Sequence, residues 1–110
     1  MAVININEEI ARKMLGDVPE GKQFFSSDGK VMKNLSELSI ALAEMSDETF
    51  SYHSNATKTD FSNWVKDVIG DEKLALDLQK SASRVRAAKA VFDRIAWLRT
   101  KIPASRRNRS

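Results

Sequence analysis

Cysteine is absent from the chain and histidine occurs once, at His53. The first absence excludes a disulfide framework, a thiolate metal site and a cysteine nucleophile. The second excludes a multi-histidine metal site within one chain. Glycine is scarce, at four residues, so no dinucleotide-binding fingerprint fits. Gly21-Lys22 does not complete the Gly-x-x-x-x-Gly-Lys-Ser/Thr framework of a phosphate loop. Apolar runs extend over only a few residues, against the ~20 that span a bilayer. The opening Met-Ala-Val-Ile-Asn carries neither the charged nor the long apolar region of a secretory signal. Cytoplasmic location without membrane contact is the expectation, and nothing in the sequence calls for a cofactor, a metal or a small-molecule substrate.

What is present is an ordinary globular composition of 110 residues, 42% hydrophobic and 30% charged, enough for one domain with a modest core. Its charge is unevenly placed. Residues 1–79 hold 8 Lys/Arg and 14 Asp/Glu, a net of −6, whereas residues 80–110 hold 10 Lys/Arg and the single acid Asp93, a net of +9. A basic end on an acidic body points to a polyanion, to an acidic partner or to the body itself.

Periodicity and end signals predict a mainly α fold, a compact bundle of four to five helices with a small N-terminal β-hairpin. Asn7-Glu8-Glu9 opens a short helix with Ile10, Ala11, Met14 and Leu15 on one face. Gln23–Phe25 and Lys30–Met32 flank an Asp28-Gly29 turn and form the hairpin, with Phe24 and Phe25 expected to lean on the helices. Asn34, three residues before Glu37, caps a helix whose stripe is Leu35, Leu38, Ala41, Leu42 and Met45. That stripe reads as core, with docking of a partner helix as the other reading. Ser46-Asp47-Glu48 starts a helix bearing Phe50, Tyr52 and His53, and the polar Asn55–Thr59 loop follows. Asp60 starts the next, with Phe61, Trp64, Val65 and Val68 together. Gly70 ends it, and Asp71 caps a helix carrying Leu74, Leu76 and Leu78. The longest helix runs from about Ser83 to Lys101, its stripe being Val85, Ala88, Val91, Phe92, Ile95, Leu98 and Ile102, and Pro103 stops it. Residues 1–103 thus make one domain. Residues 104–110, with three arginines and no large apolar side chain, read as a disordered basic tail.

One set of residues resembles a known family. The Asp28-Gly29 turn, Leu35-Ser36-Glu37-Leu38, Met45-Ser46-Asp47-Glu48-Thr49-Phe50, Tyr52-His53, Asp60-Phe61, Trp64-Val65, Val68-Ile69-Gly70-Asp71-Glu72 and Leu74-Ala75 resemble a small, largely archaeal prokaryotic domain family of unknown function. The resemblance covers roughly residues 22–80. It implies a compact helical domain and brings no activity, cofactor or catalytic residue. Thr59 stands where members of that family usually have Asn.

Two constellations are candidates for function. On the last helix, Arg86, Lys89, Arg94, Trp97 and Lys101 lie opposite the predicted core stripe, and Arg106, Arg107 and Arg109 follow in the tail. Cations around one aromatic suit a nucleic-acid backbone, with Trp97 stacking on a base. They equally suit an acidic protein, or a solvated face with Trp97 covered by another segment. Asp93 interrupts the face, and no helix-turn-helix, zinc-finger or RNA-binding signature accompanies it. The second constellation is His53, Asp60 and Trp64. His53 closes one helix and Asp60 opens the next, so the pair is either a general acid/base couple or a structural clasp over Trp64. Glu8-Glu9, Asp47-Glu48 and Asp71-Glu72 are explained by capping and helix dipoles.

The function predicted first is a non-enzymatic protein–protein interaction or assembly module, self-association included, with the basic helix facing an acidic partner. A DNA- or RNA-binding accessory protein comes second, and an enzyme centred on His53 and Asp60 last.

Overall fold

The computed structural model describes residues 5–103. Its elements are helix α1 (Glu8–Leu15), a 3-10 turn (Glu20–Lys22), strands β1 (Phe24–Phe25) and β2 (Val31–Met32), and helices α2 (Leu35–Glu44), α3 (Asp47–His53), α4 (Asp60–Trp64), α5 (Glu72–Lys80) and α6 (Arg84–Arg99). A π turn, Val65–Ile69, continues α4. The α-helices among the described residues number six rather than four to five. The chain supplies separate caps where a smaller count would merge segments. Asn7, Asn34, Ser46, Asp71 and Ser83 each accept a backbone N–H of the first turn behind them. At α2 the Glu37 carboxylate reaches back to the Lys33 N–H, 2.9 Å, so the cap is reciprocal. No described helix is long and apolar enough to cross a membrane.

The hairpin pairs Phe24 with Met32 and Phe25 with Val31, and Gly29 supplies the positive φ that the turn needs. Strand alternation sends Phe24 and Met32 inward and Phe25 and Val31 out. Phe25 therefore does not lean on the helices; at 67% exposure it faces solvent.

The centre of the fold is α2 against α6. Leu35, Leu38 and Leu42 of α2 are fully buried, as are Val91 and Leu98 of α6. The two helices run antiparallel. Arg84, at the start of α6, donates to the carbonyls of Leu42 and Ala43 at the end of α2, while Arg99, at the other end, lies beside Ser36 and Ser39. Helix α1 covers α6 and α2, and α5 bridges α4 and α6.

The buried row of α6 is Ala87, Val91, Ile95 and Leu98, continued beyond the helix by Ile102, not the full predicted stripe. Val85 and Phe92 are 65% and 66% exposed. An apolar fan spread over a third of a helix is wider than the line along which one neighbour seals it, so its flank stays open. In α5, Leu74, Ala75 and Leu78 are buried while Leu76 is exposed. After Trp64 the π turn inserts an extra residue per turn, with the Gly70 N–H on the Val65 carbonyl at 2.8 Å. The next core position accordingly moves from Val68 to Ile69. Gly70, at φ 87°, closes the turn in the left-handed region.

One ion pair locks this exit to α6. Asp71 is 1% exposed. Its carboxylate accepts two bonds from Arg94, from Nε at 2.7 Å and Nη2 at 3.0 Å, while Oδ1 also caps α5 through the Leu74 N–H. Breaking a buried, hydrogen-bonded pair from one side leaves an uncompensated charge. Arg94→Met and Asp71→Ala are each expected to lower stability by about 3–5 kcal/mol, and the double variant by less than the sum of the two. Urea unfolding of the three variants checks both statements.

Candidate functional site

The basic face of α6 is largely engaged within the molecule. Arg94 is drawn to Asp71, and its guanidinium stacks over the Trp97 ring at 4.4 Å. Lys101 covers the same ring at 4.7 Å. Lys89 pairs with Asp93 at 2.6 Å, one turn along the helix. The predicted grouping thus divides. Arg94, Trp97 and Lys101 form a stack on the α5 side, whereas Arg86 and Lys89 sit on the solvent side. Arg86 and Lys101 are the members of the described face without a carboxylate partner among the described residues. Arg106, Arg107 and Arg109 lie outside the described residues. Trp97 is 40% exposed. It borders a groove of about 990 Å³ between α5, α6 and the segment around Ile6. Two ion pairs lie within that groove, Asp71 with Arg94 and Lys73 with Asp77, while Glu72, Lys80 and Asp93 also line it.

His53 and Asp60 do meet. Short α3 ends where the Asn55–Thr59 loop turns back, and the Ser54–Thr59 bridge closes it. Asn55 Oδ1 accepts the Thr57 and Lys58 N–H groups and shapes the turn. His53 is 5% exposed, with Nδ1 3.0 Å from Asp60 Oδ2. Its other nitrogen, Nε2, accepts the Ser27 backbone N–H at 2.9 Å. Since a backbone N–H only donates, Nε2 carries no proton and Nδ1–H donates to Asp60. Lys58 also reaches Asp60 at 3.3 Å. The ring is walled by Phe24, Tyr52 and Phe61. Trp64 joins through Phe24, edge on at 5.9 Å, and donates Nε1–H to the Lys22 carbonyl.

Chemically this arrangement is a clasp. Both imidazole nitrogens have partners, one of them the hairpin backbone 26 residues away. A general base needs its lone pair turned toward a substrate, and this one is spent on Ser27. His53 does not line the groove between α5 and α6. Gly21 and Lys22 lie in the 3-10 turn before β1 and not at a helix N-terminus.

A third feature escaped the sequence reading. Along the open edge of α6 beside α2, Val85, Phe92 and Ala96 fall within about 40° of one another at 100° per residue. Beside them on α2 stand Ser36, Ile40 and Ala43. Ile40 is 57% exposed and Ala43 is also exposed. A groove of about 190 Å³ runs between Ile40, Phe92, Ala96 and Arg99. Its sequence signal was the misfit of Val85 and Phe92 to the 87-91-95-98-102 row.

No family model, curated protein or solved structure matches the chain.

The clasp makes a specific prediction about tautomer. Long-range proton–nitrogen NMR at neutral pH should show His53 protonated on Nδ1 and bare on Nε2, the minority form for histidine in water. His53→Ala should leave the Ser27 N–H without its acceptor and cost at least about 1–3 kcal/mol in urea unfolding.

Proposed function

We propose that this protein is a protein–protein assembly module that binds through the outer face of α2 and α6. The observation that carries the reading is the pair of large apolar side chains Ile40 and Phe92, 57% and 66% exposed, on two adjacent helices around one groove. Scattered exposed apolar residues need no explanation, but a contiguous row across two packed helices marks a contact surface. Val85 extends the row at 65% exposure. Burying such side chains is favourable at roughly 25 cal/mol per Å² of apolar surface.

The basic helix supports an acidic or nucleic-acid partner less well. Lys89 and Arg94 already neutralise Asp93 and Asp71, so recruiting them to phosphates means giving up existing pairs. The His53–Asp60 couple supports a structural role, because its acceptor nitrogen is taken by Ser27.

The test is a photo-crosslinking amino acid placed at Ile40 in producing cells, with the exposed Glu20 as the control position. A discrete crosslinked species from position 40, identified by mass spectrometry and absent from position 20, is expected. Equal crosslinking from both positions, or none from either, would overturn the reading.

A further inference from the structure

We infer that the tip of the hairpin, residues 27–30, is an acid-released flap: a second proton on His53 breaks its bond to Ser27 and frees the tip from α3, while the base of the hairpin stays in place. The inference is independent of the assembly reading above.

The base and the tip are held by different means. At the base, Trp64 Nε1–H donates to the Lys22 carbonyl at 2.8 Å, and the Val18 N–H donates to the Lys33 carbonyl at 2.8 Å. None of those four groups changes charge between about pH 5 and pH 8. At the tip, Ser27, Asp28, Gly29 and Lys30 are all exposed, so freeing them uncovers no core residue. Two polar contacts tie the tip to helical residues among those described. One is the Ser27 N–H on His53 Nε2, 2.9 Å, and the other is Lys30 with Glu44 at 3.8 Å. The second joins two exposed side chains and contributes little. The histidine bond is the tie that matters.

That bond exists in one protonation state. Nε2 accepts because it is bare. With a proton taken from solvent it becomes a donor facing a donor, and two hydrogens cannot share a 2.9 Å gap. Either the ring or the tip then gives way. The ring is 5% exposed and packed against Phe24, Tyr52 and Phe61, with centroids 5.2, 4.9 and 5.4 Å away. Its Nδ1–H is held by Asp60 at 3.0 Å. The tip belongs to a hairpin with two residues in each strand, marginal by itself. The tip yields.

The surrounding charges act on this step from each side. On α4, Asp60 favours the second proton, because an imidazolium turns its hydrogen bond into an ion pair. From the loop, Lys58 works against it, 3.3 Å from the same carboxylate and over the Tyr52 ring at 4.1 Å. On α3, Tyr52 presents the edge or face of a neutral phenol. On the hairpin, Asp28 accepts the Lys30 N–H at 3.2 Å and the Lys30 ammonium faces Glu44. Acid therefore strengthens the Asp60 side of the clasp and abolishes its Ser27 side.

A nitrogen-15 NMR titration of the full chain from about pH 8 to about pH 5 tests this, a range in which imidazoles ordinarily titrate and carboxylates do not. At the upper end, scalar coupling across the hydrogen bond should join Ser27 N to His53 Nε2. That coupling, and the Overhauser contacts between Ser27 and the ring, should vanish with the same midpoint as the Nε2 shift. The Val18 amide and the Trp64 indole N–H should stay protected throughout. His53→Gln carries a non-titrating acceptor oxygen at about the reach of Nε2 and should keep the tip closed over the whole range. A His53 ring still neutral at the lower end sinks the inference, as does a Ser27 bond that survives its protonation. Loss of the Val18 and Trp64 protection in step with Ser27 does the same, since the fold then opens as a whole. So does a tip that still opens in His53→Gln; if that variant does not fold, the native titration decides alone.

Discussion

The carboxylate of Asp71 ties three parts of this fold together at one point. Buried at 1% exposure, it is tolerable there only because Arg94 meets it with two bonds and the Leu74 N–H with a third. Through those three bonds the π turn, the start of α5 and the middle of α6 are fixed relative to one another. Loss of any one leaves a buried charge or a helix end unsatisfied. The pair also orients Arg94 across Trp97, so a guanidinium that could otherwise face a ligand becomes part of the structure. The consequence for function is direct: a helix rich in Lys and Arg presents much less available charge than its sequence suggests.

The hairpin is tied to the helices by a histidine clasp of similar logic. His53 sits among Phe24, Phe61 and Tyr52, and its two nitrogens tie Asp60 of α4 to the Ser27 backbone of the hairpin. A two-stranded hairpin is marginal by itself. Here it is held by the inserted Phe24 ring, by the His53 bond and by the Trp64 bond to the Lys22 carbonyl. Asp71–Arg94 and His53–Ser27 thereby commit the groups that looked most reactive in the sequence to holding the fold. Arg86 and Lys101 keep no carboxylate partner among the described residues, and several large apolar side chains are exposed. The α2/α6 face, with Ile40 and Phe92 at its centre, is where the molecule has surface to offer, which is why assembly is the reading favoured here over catalysis or phosphate binding.

Much of the local structure was legible because its causes are local. Asn7, Asn34, Ser46, Asp71 and Ser83 act on N–H groups within three residues, so the helix starts follow from the text. The Asp28-Gly29 turn, the stop at Gly70 and the meeting of His53 with Asp60 across a short polar loop are of the same kind. The errors have equally specific reasons. The π turn at Val65–Ile69 has no compositional signature, so helical spacing points to Val68, which packs at the core's edge while Ile69 takes the buried place. Phe25 was assigned to the interior although strand alternation admits only one of two adjacent residues. In α6, wheel geometry located the apolar fan but not which of its edges α2 would seal, so Val85 and Phe92 were counted as core. The same wheel put Arg94 on an open face.

By itself, then, the sequence determined the helical class, the hairpin, the caps and the lopsided charge, because each depends on the chemistry of neighbours within about one helical turn. Tertiary structure alone decided which of those charges remain available and which apolar residues remain exposed. Arg94 finds Asp71 23 residues away, and Phe92 stays open because antiparallel α2 covers only one flank of α6. Both outcomes depend on how two helices are set side by side, and no stretch of the chain records that placement on its own.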